Sequence, residues 1–547
     1  MDAIMDAVES VLTYHKATKH YPDRFARSLG YMDWPNQPDP FRRFEGAPVH
    51  PLPLLTDDIT PTYDALFSGK VPVQALTVGT VAAFFEHSLA LSAWKEYHGD
   101  RWALRCNPSS GNLHPTEGYA VLGPIDGIHD APAVYHYAPR EHALERRADL
   151  RADSWHILAD SLPEGAFLAG LSSIHWREAW KYGERAYRYC QHDVGHALGA
   201  LAVSAAALGW QVRWLDTLSD AEVAVLLGLS RTSDLVAEER EHPDLLAAVW
   251  PDNPPHVGDA LDIPAAAFEQ AAGSKWYGKA NRLSPEHISW TAIDDVAAAA
   301  TKPRTNLQTR FKEPIASPGT PATGKSARGI ILQRRSAQAM DGKSVISREA
   351  FYRTLAVLMA DREGPVWRAF DVVPQVDLIL FVHRVTGLPA GMYCLVRNPD
   401  HEATLRNVMR TNFAWNRPED CPEDLPLFLL KAGDYRQLAG QLSCGQDIAS
   451  DGAFAVSMLA AFEEPLRATG PWYYRALFWE TGMLGQLLYL EGEAAGLRGT
   501  GIGCYFDDQV HGVLGLEGLQ FQTLYHFTVG GPIDDPRLTT LPPYAHR

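Results

Sequence analysis

The chain has 547 residues, 46% of them hydrophobic and 21% charged, which is typical of a soluble globular protein with about two to four domains. This composition excludes a disordered, collagen-like or coiled-coil chain. Acidic residues outnumber basic residues by 66 to 49, and the net charge of −17 argues against nucleic acid and anionic membrane surfaces as partners.

The cysteines and the N-terminus indicate the compartment. The six cysteines are scattered and include no Cys-x-x-Cys pair, which favours neither a zinc ribbon nor a dithiol motif. The acidic N-terminal sequence lacks the basic and apolar regions of a signal peptide. The most apolar run, residues 202–210, is too short to cross a bilayer. We therefore predict a cytoplasmic protein with no membrane partner.

The first candidate site in chain order is a loop that reads RCNPSSGNLHP, from Arg105 to Pro115. Its prolines interrupt regular structure, and its serine, glycine and asparagine residues offer hydrogen-bond donors in a turn. Such a loop can bind the edge of a planar heterocycle. It can equally be a well-capped connection to the strand predicted at residues 119–122.

The next candidates surround a long helix predicted over residues 187–210. Lys181 and Tyr182 precede it, and either could accept a proton if burial or neighbouring cations lower its pKa; a surface pair is the alternative. Within the helix, His192, Asp193 and His196 have the spacing of a zinc site. A stripe of small residues and the lack of a nearby third ligand favour helix packing instead, so we predict no metal.

Residues 301–328 are rich in proline, threonine, serine, glycine and lysine, which predicts a linker. The linker divides the chain into predicted domains of residues 1–300 and 329–547. Residues 319–326 match the Walker A pattern, but no buried strand precedes them and Pro321 removes a backbone donor. We interpret this match as coincidental.

Two candidate segments follow the linker. Arg334, Arg335 and Ser336 are predicted to open a helix, where two guanidiniums and the helix dipole would bind a phosphate. Further along the chain, the sequence RGTGIGC contains Gly501, Ile502 and Gly503, and its glycines permit close backbone approach to a flat ligand. Neither segment identifies a site by itself, because neighbouring arginines often lie on a solvent-exposed helix surface and glycine clusters are common.

The two halves of the chain repeat each other. A shift of 287 residues aligns 187–210 with 474–497 without a gap and pairs Gly195 with Gly482. Further strands are predicted at 376–382 and 525–529. These observations predict a duplicated α+β fold with helices packed on a sheet, arranged as a pseudo-dimer within one chain. Such a chain could be a monomer or form a homodimer.

Three segments together resemble the flavin nitroreductase superfamily, in the version found in SagB/ThcOx-type dehydrogenases. They are RCNPSSGNLHPTEGYAVL, QRRSAQAM, and GTGIGCYFDD with the later YHFTVGGPIDD. The resemblance implies a nitroreductase-like fold that binds FMN between two equivalent subunits. In such dimers one subunit supplies the Arg-Arg-Ser and glycine segments, and the other supplies the proline-serine loop.

In this chain the two halves carry complementary parts of that site. Residues 372–376 replace the loop in the C-terminal half, and residues 17–20 replace Arg-Arg-Ser in the N-terminal half. We therefore predict one complete FMN site per chain and a degenerate second site. The predicted cofactor-binding residues are Arg105, Pro108, Ser109, Ser110, Gly111, Asn112, Arg334, Arg335, Ser336, Gly501, Ile502 and Gly503.

The resemblance also implies an activity. Azoline-oxidising members place a Lys-Tyr pair near the flavin, and Lys181 and Tyr182 look like that pair. This implies hydride transfer from a small-molecule or peptide substrate to flavin N5, proton transfer to Lys181 or Tyr182, and electron transfer to oxygen or another acceptor. Arg105 is a candidate to stabilise the anionic reduced flavin.

Three alternatives remain from the sequence. One is an NAD(P)H-dependent nitro or quinone reductase of the same superfamily. Another is a zinc-dependent hydrolase that uses His192 and His196. The last is a flavin-binding protein without catalytic activity.

Overall fold

The computed structural model describes residues 2–58, 60–69, 71–251, 261–305, 323–360 and 364–545. Most of the predicted linker, and the first half of the Walker-like sequence, lie outside the described residues. We call residues 2–305 the N-terminal half and residues 323–545 the C-terminal half. None of the helices in these ranges combines the length and apolarity that a membrane span requires.

The helices of the described ranges occur throughout both halves. They are α1 Asp2–Ala17, α2 Val78–Glu86, α3 Ala152–Asp160, α4 His175–Tyr182, α5 Ala186–Ala207, α6 Asp220–Leu227, α7 Ala265–Ala272, α8 Thr291–Ala299, α9 Ala327–Gln333, α10 Arg348–Leu358, α11 Pro365–Ala369, α12 Glu402–Val408, α13 Arg436–Leu442, α14 Asp447–Asp451, α15 Glu463–Thr469, α16 Tyr473–Ala494 and α17 Asp507–Leu514.

The strands lie between these helices. They are β1 Phe44–Glu45, β2 Val49–Pro51, β3 Leu91–Tyr97, β4 Asp100–Arg105, β5 Thr116–Leu122, β6 Ala133–Ala138, β7 Ala143–Asp149, β8 Phe167–Ser173, β9 Gln211–Trp214, β10 His242–Trp250, β11 Lys275–Trp276, β12 Lys279–Ala280, β13 Val376–Val382, β14 Gly391–Leu395, β15 Leu427–Ala432, β16 Phe454–Ala461, β17 Arg498–Ile502, β18 Phe521–Gly530 and β19 Thr539–Leu541.

Each half contains an antiparallel sheet, and the order of the six strands from β7 to β9 in the N-terminal sheet matches that of the six-stranded C-terminal sheet. The N-terminal sheet runs β11-β7-β6-β5-β8-β10-β9, with β2 paired to β7, and the C-terminal sheet runs β15-β14-β13-β16-β18-β17. The central strand β13 is buried at every position, because Leu378 and Leu380 enter one hydrophobic core and Ile379 and Phe381 another. The predicted α+β fold is confirmed.

The two longest helices, α5 and α16, carry the repeat. Both have 22 residues, and the shift of 287 residues relates their first and last residues. They pack against each other through glycines: a Cβ on Gly195 would lie 2.2 Å from the Trp479 carbonyl oxygen, and a Cβ on Gly482 would lie 2.2 Å from that of His192. The shift also relates His192 to Trp479, so the contact is reciprocal, as in a two-fold dimer.

Ion pairs between the halves obey the same symmetry. Arg188 on α5 contacts Asp507, the first residue of α17, at 2.9 Å. Arg475 on α16 contacts Asp220, the first residue of α6, at 2.7 Å. Each buried arginine therefore reaches from its own half to a helix N-terminus in the other half, where a carboxylate is favourable.

Segments near both chain ends also cross between the halves. At the end of the C-terminal half, β19 pairs with β3, and the Tyr544 hydroxyl donates to the Pro139 carbonyl at 2.9 Å. Just after α1, Lys19 contacts Asp508 at 2.5 Å. The pairing of β19 with β3, which is itself paired with β4, holds the loop that follows Arg105 against the C-terminal half.

One sequence prediction is wrong: Arg334, Arg335 and Ser336 do not open a helix. Helix α9 ends at Gln333, and Arg334 follows its last turn. Ser326 caps the start of this helix by accepting a hydrogen bond from the Gly329 N–H at 3.0 Å. The two arginines therefore lie at the helix C-terminus, where the dipole favours cations and offers no anion site of its own.

Candidate functional site

A cavity of about 830 Å³ lies between the two halves, and we call it the central cavity. Tyr182 lines it, as do all twelve residues predicted to bind the cofactor. Those twelve are Arg105, Pro108, Ser109, Ser110, Gly111, Asn112, Arg334, Arg335, Ser336, Gly501, Ile502 and Gly503. The structure thus brings the proline-serine loop of one half together with the Arg-Arg-Ser and glycine segments of the other.

The proline-serine loop is fastened to helix α5. The backbone N–H and hydroxyl of Ser110 both donate to Asp193 Oδ1, at 3.1 and 3.2 Å. Gly111 and Asn112 then adopt left-handed backbone conformations, with φ values of 60° and 61°. The Asn112 amide donates to the Ala103 carbonyl at 2.9 Å. These bonds fix a tight turn at the cavity wall, a conformation that glycine and asparagine tolerate best.

The predicted catalytic pair packs against this turn. A Cβ on Gly111 would lie 2.6 Å from the Tyr182 hydroxyl and 3.1 Å from Lys181 Nζ, so the glycine makes room for both side chains. Lys181 Nζ lies 5.2 Å from the centre of the Tyr182 ring. Helix α4 ends here, because Gly183 takes a φ of 54°.

Arg334 and Arg335 hold the two halves together as well as lining the cavity. Arg334 donates to the carbonyls of Cys106 and Arg105 at 3.0 and 2.8 Å. Its third nitrogen, Nη1, is buried and has no hydrogen-bond partner among the described residues. Arg335 donates to the Ser92 carbonyl and hydroxyl at 2.9 and 3.1 Å. Arg334 lines the cavity, and a buried guanidinium N–H without a partner is available to an acceptor that comes within reach.

A tyrosine on α16 joins the remaining two segments. The Tyr489 hydroxyl lies 2.8 Å from the Ser336 hydroxyl and accepts a hydrogen bond from the Gly501 N–H at 2.9 Å. A Cβ on Gly501 would lie 2.0 Å from the Tyr525 hydroxyl, and one on Gly503 would lie 2.5 Å from the Tyr189 ring. The glycines are therefore required by neighbouring tyrosines, in addition to any ligand.

The central cavity is rich in cations. Burial lowers the pKa values of Arg105 and Arg335 to about 10, which leaves both protonated at neutral pH. Acidic residues enter the lining at one edge, where Asp534 pairs with Arg498 at 2.5 Å. The chain of net charge −17 thus concentrates positive charge where an anionic ligand would bind. The cationic lining residues are Lys95, Arg105, Arg334, Arg335 and Arg498.

Two buried carboxyl groups lie behind the proline-serine loop. Burial raises the pKa of Asp193 to about 7, against the hydrogen bonds from Ser109 and Ser110. Burial and the Asp193 charge raise the pKa of Glu178 well above its usual range, and neither of its oxygens has a hydrogen-bond partner among the described residues. Burial and the Glu178 charge in turn raise the pKa of Tyr182, which therefore keeps its proton at neutral pH.

The histidine pair on α5 packs among aromatic side chains. His192 Nε2 lies 3.0 Å from the Leu524 carbonyl oxygen, and His196 Nε2 lies 3.2 Å from the Tyr525 hydroxyl. Burial lowers the pKa of both histidines, so both are neutral at pH 7. Within the described ranges, no cluster of three or more histidine, cysteine, aspartate or glutamate side chains could hold a metal ion. These contacts favour the packing interpretation over zinc.

The position related to the central cavity by the repeat is filled. The shift of 287 residues relates Gly501 to Trp214, which is buried and stacks on Phe370 at 5.5 Å. Trp472 and Trp479 pack around it at 6.3 and 5.3 Å. Glu480, the counterpart of Asp193, accepts a backbone hydrogen bond from Gln375 at 3.0 Å and is paired with Arg397. Indole rings therefore fill this region, whereas glycines border the related central cavity.

Sequence reasoning missed several contributors to the site. It places Asp193 only in a zinc motif, and it does not mark Tyr189, Tyr489 or Tyr525 as site residues. Their contribution depends on where α5, α16 and β18 meet, and no local pattern in the sequence reports that meeting. The repeat offered one signal for Asp193, because its counterpart Glu480 is also acidic.

Comparison with known proteins agrees with this architecture. Residues 90–237 match the model of the nitroreductase family. A protein of Methanocaldococcus jannaschii assigned as a nitroreductase is 26% identical over 156 residues, which cover 27% of this chain and 72% of that relative. The crystal structure of a protein from Anabaena variabilis, also assigned as a nitroreductase, matches with a TM-score of 0.70 at 21% identity, over 96% of this chain and 99% of that one.

Residues 90–237 of the chain therefore match the nitroreductase family, and the chain has a nitroreductase-like α+β fold. The resemblance to the nitroreductase superfamily is confirmed, and the SagB/ThcOx type stays a prediction. The fold extends over nearly the whole chain, because the structural match includes both halves.

Proposed function

We propose that this protein is an FMN-dependent oxidoreductase that binds one cofactor per chain in the central cavity. One observation carries the proposal. Segments from both halves, separated by more than 200 residues, converge on a single cationic cavity, and they are the segments for which the sequence resemblance implies FMN binding.

The residues present fit such a cofactor. The unpartnered Arg334 Nη1 and the neighbouring Arg335 and Lys95 would hold a phosphate group. The glycine segment lines the cavity without side chains of its own at Gly501 and Gly503, so a flat ring system could approach its backbone. The turn at Ser109–Asn112 would present polar groups to the edge of that ring.

Bound FMN supplies a two-electron hydride acceptor and donor. The chain's own residues bind the cofactor, orient the substrate and exchange protons with it. Because Tyr182 lines the cavity and keeps its proton, we assign it hydrogen-bond donation to the substrate. Lys181 lies beside it and is not among the cavity-lining residues, and we assign proton acceptance to the neutral amine form of its side chain. Arg105 is buried and cationic, and it would stabilise negative charge that develops at the edge of the cavity.

We further propose a SagB/ThcOx-type reaction, in which an azoline loses a hydride and a proton and becomes an azole. The placement of Lys181 and Tyr182 against the Gly111 turn supports this type. The assignment of both relatives as nitroreductases supports a second candidate, an NAD(P)H-dependent nitro or quinone reductase. Anaerobic bleaching of the flavin by a thiazoline peptide supports the first candidate, and bleaching by NADPH supports the second.

The cofactor proposal is tested by the FMN content of the purified protein, measured by absorbance after heat release. We expect about one FMN per chain. Ser110→Trp should abolish binding because the indole would enter the cavity, whereas the control Ser68→Trp changes an exposed residue and should keep the cofactor. A protein that takes up no added FMN, or equal FMN content in both variants, would contradict the proposal.

A further inference from the structure

Two cysteines that the proposed reaction does not use lie in contact at the wall of the central cavity. The sulfur atoms of Cys444 and Cys504 are 2.7 Å apart, although the residues are 60 positions apart in the chain. Both are half-buried thiols, and Cys504 lines the cavity directly after Gly503. By contrast, Cys106, Cys190 and Cys394 are fully buried.

The backbone around the pair is held by hydrogen bonds between the two segments. The Gln446 side-chain amide donates to the carbonyls of Ser443 and Cys504, at 2.8 and 3.0 Å. The Phe506 N–H donates to the Leu442 carbonyl at 2.9 Å. Because these bonds flank both cysteines, the approach of the sulfur atoms is built into the fold.

Cys444 itself has an unusual backbone conformation. It lies between α13 and α14 with a φ of 56°, in the left-handed region that residues other than glycine rarely adopt. This turn directs its side chain toward Cys504. Non-glycine residues in this region are concentrated at functional sites.

The surroundings make the two thiols unequal. The hydrogen bond shared with Cys444 and the charge of Arg185 lower the pKa of Cys504, against the effect of burial. The same hydrogen bond raises the pKa of Cys444. The Arg185 guanidinium is anchored next to the pair, because it donates to the Gly503 carbonyl at 3.2 Å. A thiolate on Cys504 is thus favoured, and the thiolate is the nucleophile in sulfur chemistry.

We propose that Cys444 and Cys504 are a peroxide-sensitive pair that closes reversibly to a disulfide. The Cys504 thiolate attacks hydrogen peroxide, the O–O bond breaks, and a sulfenic acid and water form. The Cys444 thiol then displaces water from that sulfenic acid and forms the S–S bond. In sum, two thiols and one peroxide give one disulfide and two waters, and a dithiol reductant reverses the step.

This modification site does not depend on the proposed cofactor. Its consequence is structural: the disulfide would tie the glycine segment of the cavity wall to the turn between α13 and α14. A sequence search for neighbouring cysteines misses the pair, because the chain separation hides it.

The test uses the reduced full-length chain, treated with one molar equivalent of hydrogen peroxide. We expect a mass loss of about 2 Da and a non-reducing peptide map that joins the Cys444 and Cys504 peptides. Dithiothreitol should reverse both changes. Cys421→Ser, which removes the other half-buried cysteine, should still lose this mass, whereas Cys444→Ser and Cys504→Ser should not.

The variants also distinguish the attacking sulfur. Cys444→Ser should form a sulfenic acid that dimedone traps, and Cys504→Ser should form far less. Six free thiols after peroxide treatment of the wild-type chain, or a disulfide that includes Cys421, would overturn the proposal. The non-reducing peptide map of the wild-type chain tests the Cys444–Cys504 disulfide even if a variant fails to fold.

Discussion

At the scale of single residues, the site is defined by unpaired polar atoms and shifted pKa values. Arg334 has a buried N–H without a partner among the described residues, Glu178 and Tyr182 keep their protons at neutral pH, and burial raises the pKa of Asp193 to about 7. Groups that are costly to bury without partners are often retained for chemistry. These residues therefore give the most direct tests of the proposed mechanism.

Tyr182→Phe tests the role of the phenol. The substitution keeps the ring, which packs on Tyr189 at 4.6 Å, and removes the hydroxyl. We expect FMN content to stay unchanged and the rate of anaerobic flavin reduction by a thiazoline peptide to fall about 100-fold. Tyr31→Phe, at an exposed position, is the matched control. An unchanged reduction rate would remove Tyr182 from the mechanism.

Asp193→Asn tests the raised pKa. Burial raises the pKa of this carboxyl from 3.8 to about 7, so the folded state favours its protonated form. The protonated carboxyl contributes its full stabilisation below pH 3.8, the pKa in the unfolded chain. That contribution is lost as the pH rises through about 7, the pKa in the folded protein. We therefore expect the free energy of unfolding, measured in urea, to decrease from pH 5 to pH 8 by a larger amount in the wild type than in Asp193→Asn. The exposed Asp130→Asn should follow the wild type.

At the scale of elements, the sequence predicted which segments meet and misjudged how one of them is presented. The loop and glycine segments could be predicted because the residues that shape them are contiguous. The helix at Arg334 was misplaced because its capping residue, Ser326, lies within the stretch interpreted as a linker. Tyr489 could not be predicted, since its two hydrogen bonds join segments far apart in the chain.

Tyr489→Phe tests that junction. Loss of the hydroxyl leaves the Gly501 N–H and the Ser336 hydroxyl without this partner, and each lost hydrogen bond costs about 1 kcal/mol. We expect the FMN dissociation constant to rise about tenfold or more, as measured by fluorescence titration. Tyr473→Phe, on the same helix, should leave the affinity unchanged. Equal affinities in both variants would show that the junction does not shape the cavity.

At the scale of the whole molecule, the reciprocal contacts of α5 and α16 make the two halves one body. Gly195 and Gly482 each face a backbone carbonyl of the other helix, which cannot move aside as a flexible side chain could. The ion pairs of Arg188 and Arg475 repeat this symmetry. The cavity depends on this packing, because its walls come from both halves.

Gly195→Ala should destabilise the protein by about 3 kcal/mol or more, because the added methyl would lie 2.2 Å from a backbone oxygen. Gly512→Ala is the matched control. That glycine lies in α17 with no atom within 4 Å of the added carbon, so the change should stabilise the helix by up to about 1 kcal/mol. Urea unfolding measures both. A stable Gly195→Ala protein would contradict the described helix contact.

Trp214→Ala tests the filled counterpart of the cavity. Removing a buried indole should cost about 3 to 5 kcal/mol of unfolding free energy. FMN content should remain about one per chain, because the N-terminal half has no Arg-Arg-Ser segment at residues 17–20. A second FMN in this variant would show that the tryptophan alone blocks an otherwise competent site.

The tryptophan at position 214 illustrates how a chain that carries two fused copies of a domain can evolve. In a dimer of identical subunits, one codon specifies both copies of every position, so an indole that replaced a glycine would enter both cavities at once. Joining the copies in one gene gives each position its own codon. One of the two regions can then fill with side chains and add stability, while the other keeps its glycine and its cavity.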